Sequence, residues 1–207
     1  MNCGNFPRYD AVSRAFHWLT AVAVLAAFVL GPEHFGRLMR DGLDPATRLD
    51  IVWHETLGVM VFVLTLLRLL WLAFRPAPPV TEAATWLKWA SKGGHVLLWV
   101  LMLATPLSAL LALGTEGHPV TLLGGIRIDA LPWIEALPLA DTADWGEVHG
   151  FLGEAMIWLA GLHAVAALFH HFVLRDGVLA SMLPAFKKQG EKERYKMCSA
   201  RRFQYGR

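Results

Sequence analysis

Residues 145–174 read WGEVHGFLGEAMIWLAGLHAVAALFHHFVL, an apolar stretch long enough to cross a bilayer that carries His149 and His163 fourteen residues apart. At about 100° per residue, fourteen steps bring a helix back to within about 40° of its starting direction, and a rise of about 1.5 Å per residue separates the two imidazoles by about 21 Å. One helix thus points two histidines the same way at two depths. Ionisable side chains inside a membrane are costly, face the interior of a bundle and mark function. The spacing predicts two stacked metal-centred cofactors, and haem held by neutral imidazoles fits it best.

The rest of the chain agrees with a membrane protein. Of 207 residues, 55% are hydrophobic and 17% charged, with a mean hydropathy of +0.41, where a soluble domain carries about 25% charged residues. Three further segments, 15–31, 51–74 and 95–113, reach the roughly 17 residues that a span needs. The expected fold is all-α, a transmembrane four-helix bundle over residues 15–174. A cytoplasmic segment, 1–14, precedes it and a basic cytoplasmic tail, 175–207, follows. Arg8 and Arg14 ahead of the first span imitate a secretion signal, but no cleavage box follows and removal would discard His17, so a retained anchor is expected. From Pro184 the tail is polar without an apolar period, which predicts disorder drawn to anionic lipid. A net charge of +2 without a basic patch of nucleic-acid type gives no reason to expect a nucleic-acid partner.

Orientation follows from the basic residues. With the N-terminus inside, Arg8, Arg14, Arg68, Arg75, Lys88, Lys92 and the nine after Leu174 put fifteen of nineteen on the cytoplasmic side of the membrane. Arg37, Arg40, Arg48 and Arg127 fall outside, among acids that include Asp41, Asp44, Asp50, Glu116, Asp129, Asp141 and Asp144. Cys3 and Cys198 then lie on the reducing side, where no disulfide is expected, and no C-x-x-C-H motif is present to attach a c-type haem covalently. Gly31-Pro32 and Pro76-Ala77-Pro78-Pro79 mark helix ends. Residues 126–139, with Trp133, read as a solvated loop or as a segment lying on the outer membrane surface.

This topology sorts the histidines by depth. His54 and His149 are near the outer face, from helices running in the same direction. His17, His95 and His163 are near the inner face, with His95 opening the third helix. Only two of these three can ligate one iron, and the residues alone leave that choice open apart from His163. His34 and His118 fall in outer loops, and His170 and His171 at the cytoplasmic edge. His54-Glu-Thr-Leu57-Gly58 and His149-Gly-Phe-Leu152-Gly153 share the pattern H-x-x-L-G, which places a glycine one turn beyond each histidine on the same face. A porphyrin against a helix needs a position without a side chain, and so does close helix packing; beside histidine the pattern favours haem. Zinc fits poorly, since the histidines fall on two levels and no cysteine or carboxylate group completes a tetrahedral set. Met60, Met102 and Met156 read as core filling. Glu55 and Glu154 receive no catalytic role: a helix dipole accounts for the first, and the second is turned about 140° away from His149.

These residues resemble the bacterial cytochrome b561 family, which includes superoxide oxidases. The likeness runs through Arg14-Ala-Phe-His17-Trp18-Leu19, Trp53-His54-Glu55-Thr56-Leu57-Gly58, Arg68-Leu-Leu, Pro78-Pro79, Gly94-His95 and Gly161-Leu-His163-Ala164 to His170-His171. It implies two b-type haems, one on His17 and His163 at the cytoplasmic side and one on His54 and His149 at the outer side, with His17 chosen over His95. It further implies electron flow between a periplasmic donor, superoxide among the candidates, and ubiquinone. His95 and His171 are then candidates to contact the quinone, and Arg14, Arg68 and Arg75 to pair with haem propionates. The competing role is a haem-bearing anchor subunit that exchanges electrons with a partner dehydrogenase or hydrogenase. A small transporter with histidine proton relays is the reading without redox chemistry.

Overall fold

Asp10 starts the first helix: its carboxylate accepts from the Ser13 backbone N–H at 2.8 Å and the Ser13 hydroxyl at 2.6 Å, capping α1, Ala11–Val29. The structure is a computed structural model that describes residues 8–32, 38, 41–76, 85–129, 132–139 and 142–183. A short 3-10 turn at Pro45–Thr47 leads into α2, Leu49–Leu72, and α3 follows over Thr85–Thr115. Strands β1, Val120–Leu122, and β2, Ile126–Ile128, form an antiparallel hairpin, and a short helix α4 covers Pro132–Glu135. Helix α5, Trp145–Phe169, passes into a π-helical turn at His170–Leu174 and then into a small helix α6, Val178–Met182. Four helices, α1, α2, α3 and α5 with its π turn, are long and apolar enough to cross a membrane.

α1 packs along α2 and α3 along α5, while α2 against α3 joins the two pairs. Ala23 and Val24 of α1 meet Leu57 and Val61 of α2 in the buried core, flanked by Ala26, Ala27 and Leu30. Small side chains on α1 let the two backbones approach, the usual device where lipid offers no hydrophobic drive between helices. Thr65, fully buried, returns its hydroxyl to the Val61 carbonyl at 2.7 Å. The outward surfaces stay apolar, as a lipid solvent requires: Val22, Leu70, Trp158 and Leu162 are all exposed.

Three features depart from the sequence reading. α3 begins at Thr85, so His95 lies ten residues inside it rather than at its start. Trp86, Lys88, Trp89 and Lys92 suit a membrane interface, and Lys92 sits over the Trp89 ring at 5.6 Å, so the helix continues past its most apolar part. The long loop after α3 holds a hairpin, reversed at Gly124 and Gly125, which both take the left-handed backbone that glycine adopts freely. Residues 126–139 are therefore not an irregular loop: Ile134 is buried against Gly114, where even a Cβ would come within 2.6 Å of it. Finally, the boundary placed after Leu174 falls inside ordered structure, because residues 175–183 fold back onto α1. The Tyr9 backbone N–H, Arg14 Nη1 and Trp18 Nε1 donate to the carbonyls of Ser181, Leu183 and Met182 at 3.2, 2.9 and 2.9 Å. These are carbonyls that the end of α6 leaves unmet. Cys3, Cys198, His34, Arg37, Arg40, Asp141, Pro78-Pro79 and the tail from Pro184 lie outside the described residues.

Candidate functional site

α1 and α2 face α5 across the bundle, and the histidines meet there at two levels. Near the hairpin, the His54 and His149 ring centroids are 5.9 Å apart. At the other end, those of His17 and His163 are 6.3 Å apart, and His95 on α3 lies 5.1 Å from His163. Two imidazoles that would each give one nitrogen to a single metal at about 2 Å could have their centroids up to about 6 Å apart. The first two distances match that figure; the third is about 1 Å shorter.

At the hairpin level the backbone fixes both rings. His54 Nδ1 is 2.7 Å from the Ala27 carbonyl and His149 Nδ1 is 2.9 Å from the Thr105 carbonyl. A carbonyl only accepts, so each Nδ1 carries the proton and each Nε2 is left with a lone pair, the arrangement that prepares an imidazole for a metal. The Ala27 carbonyl is free because α1 ends two residues later and Gly31 donates to Phe28 instead. Gly31-Pro32 was thus a readable signal for this partner, whereas nothing in the sequence marked Thr105.

Both rings line a cavity of about 920 Å³, a volume that takes in its open mouth, walled almost wholly by apolar groups, among them Val24, Phe28, Phe62, Leu110 and Met156. Gly58 and Gly153 both line it, and a Cβ at either would have no neighbour within 4 Å. The two glycines therefore widen a cavity rather than let helices touch. Imidazole donors, apolar walls and room at both glycines fit a haem. Glu154 is exposed and lines no described cavity.

Glu55 has a role the sequence did not disclose. Its carboxylate accepts from the Thr121 backbone N–H at 2.5 Å, and the Thr56 hydroxyl accepts from the Leu123 N–H at 2.9 Å. Residues directly after His54 thus hold the hairpin over the cavity, with Val120 in its wall.

The other end is organised differently. Among the described residues, no hydrogen bond holds the His17 or His163 ring, while His95 Nδ1 lies 2.6 Å from its own helix's Ser91 carbonyl. A cavity of about 640 Å³ there is lined by Tyr9, Arg68, Trp71, Arg75, His95 and Trp99 among others. Arg68 stacks over Trp99 at 4.9 Å, and Arg14 is engaged with Leu183. His171 is exposed beside Phe172 and is not among the residues that line this cavity. His170 pairs with Asp176, which no motif suggested.

The sequence profile of the prokaryotic cytochrome b561 family matches residues 8–185. The chain belongs to the prokaryotic cytochrome b561 family. It is 31% identical over 186 residues to cytochrome b561 homolog 2 of Escherichia coli K12, covering 88% of this chain and 95% of that protein. It is 27% identical over 192 residues to the probable superoxide oxidase CybB of Yersinia pestis, covering 88% and 98%. To cytochrome b562 of Cereibacter sphaeroides it is 28% identical over 184 residues, covering 86% and 96%. As a cytochrome b561 the chain is a bacterial membrane protein of electron transport, and membership implies b-type haem.

Proposed function

We propose that this cytochrome b561 holds two b-type haems, one between His54 and His149 and one between His17 and His163, and passes electrons across the inner membrane from a periplasmic donor to ubiquinone. Both termini are cytoplasmic in this reading, with the hairpin outside. The observation that carries it is the pair of imidazole couples, each spanning α5 and a facing helix at about 6 Å. Haem supplies one-electron carriage when bound. The chain orients the outer imidazoles through Ala27 and Thr105, excludes water with apolar walls and the hairpin, and makes room at Gly58 and Gly153. Arg68, which has no carboxylate partner among the described residues, is the cation to meet a propionate on the inner side. The cavity beside His95 is the candidate quinone site, with His171 outside its lining.

Superoxide enters as a candidate donor through the printed name of the Yersinia pestis relative. An oxidoreductase acting alone should reduce quinone once purified, whereas an anchor subunit should need its partner. Pyridine haemochrome analysis is expected to give two haems per chain, with His54→Ala or His149→Ala leaving one. Two haems retained in both variants would overturn the ligand assignment, and no b-type α band after dithionite would overturn the redox function.

A further inference from the structure

We propose that the hairpin end is a docking surface for a soluble, lysine-rich redox protein, which makes the periplasmic donor a protein and rests on the function proposed above. Three observations meet there.

The first is an unpartnered sheet face. β1 lies against the bundle, while β2 is exposed along its whole length, with Ile126 at 57% and Ile128 at 44% exposure. Trp133 and Leu139 are exposed nearby, although Ile134 is fully buried. The segment is thus anchored through one apolar residue and displays several others. Exposed apolar groups gathered in this way, rimmed by charge, are the usual anatomy of a recognition surface.

The second is the sign of the rim. Among the described residues of the two connections at this end, Asp41, Asp44, Asp50, Glu116, Asp129, Asp144 and Glu147 stand against two arginines, Arg48 and Arg127. Both described arginines are neutralised locally: Arg48 is bidentate to Asp50 at 2.9 and 2.5 Å, and Arg127 reaches Asp44 at 3.1 Å and Asp129 at 3.2 Å. Asp41, Glu116, Asp144 and Glu147 remain exposed. Such a field repels an anion such as superoxide and also anionic lipid headgroups, and it steers a cationic protein toward the surface.

The third is the short connection to the site. The hairpin backbone is bonded to Glu55 and Thr56, the residues after His54, and Val120 is part of the cavity wall. A partner seated on β2 stands over the outer histidine pair. His54 and His149 would hold the haem that accepts one electron from the partner's reduced centre, which would thereby be oxidised. No bond forms or breaks and no proton moves.

The test uses the full chain in nanodiscs of zwitterionic lipid, with mitochondrial cytochrome c as the basic probe and an acidic flavodoxin as the counter-probe. Cytochrome c is expected to bind at about 20 mM salt and at least about tenfold more weakly at about 200 mM. The doubly reversed variant Asp41→Lys with Asp129→Lys should weaken it by about tenfold or more. Ile126→Ser with Ile128→Ser should speed dissociation with little change in salt dependence. All four positions are exposed, and haem content and the visible spectrum should stay unchanged. The proposal is overturned if cytochrome c does not bind at low salt, if neither variant alters binding, or if flavodoxin binds equally well. It is also overturned if the isoleucine variant loses only affinity for phosphatidylglycerol vesicles, which would make the patch a lipid contact. Haem measured on the same samples separates the two readings: binding without haem sinks the electron-transfer function alone, and two haems without binding sink the docking surface alone.

Discussion

The hairpin end and the strap end, where residues 175–183 fold back onto α1, each bring histidines together, but by different means. At the hairpin end two rings are each fixed by a carbonyl, two glycines leave room, and the walls are apolar. At the strap end three rings crowd together, neither His17 nor His163 has a described hydrogen bond, and arginines stand close by. On the proposed function, the first arrangement would specify one ligand pair before any cofactor arrives. The second supplies more ligands than a bis-histidine iron needs, so its pairing rests on geometry: His17 faces His163 across the bundle, whereas His95 lies on the helix already packed against α5.

The sharpest way to break this contrast is ligand deletion at the crowded end. His163→Ala should remove the inner haem entirely, His17→Ala should do the same, and His95→Ala should leave two haems by pyridine haemochrome. Haem lost from the His95 variant but kept in the His17 variant would reverse the assignment. At the ordered end, Gly58→Leu or Gly153→Leu should fill the cavity and cut outer haem affinity by at least about tenfold, with the helices still packed because neither glycine touches a neighbour.

Smaller effects probe what surrounds the two sites. Glu55→Ala leaves the Thr121 N–H without its acceptor, which should loosen the hairpin by about 1–3 kcal/mol, seen as faster hydrogen exchange over residues 120–128. Gly114→Ala should displace Ile134 and cost about 1–3 kcal/mol, read as a lower thermal midpoint and proteolysis between α3 and α5.

The smallest effect is expected at Asp10. Burial alone would raise its carboxyl, but hydrogen bonds from the Ser13 side chain and backbone and from Trp71 outweigh burial and hold it below the ordinary value. Its contribution is therefore complete above the usual carboxylate range and disappears as pH falls through the lowered value. Asp10→Ala should cost about 1 kcal/mol at neutral pH and nothing once acid has protonated the wild type, a convergence visible in melting curves across pH.

The spans were legible because lipid leaves a simple demand, runs of apolar residues of fixed length, and the histidine depths followed from counting along them. The H-x-x-L-G echo was legible for the same reason, since helical period alone puts each glycine beneath its histidine. What escaped were contacts between distant segments. Thr105 acts through its carbonyl, which no side chain announces, and the Ala27 carbonyl was signalled only indirectly, by the helix end at Gly31-Pro32. Glu55 looked like an acid at a helix start, and only the hairpin, 66 residues on, gives its carboxylate a partner. Residues 175–183 read as the start of a tail because a five-residue helix has too short a period to detect, and its hold on α1 runs through backbone oxygens.

That hold bears on how the molecule is made. Translation delivers α1 to the membrane first, yet Arg14 and Trp18 find their acceptors only when residues 182 and 183 emerge, 169 and 164 positions further along. The earliest span to enter the bilayer is consequently the last to be finished. A ribosome stalled before that point would leave a chain with every histidine present and its two ends still unclasped.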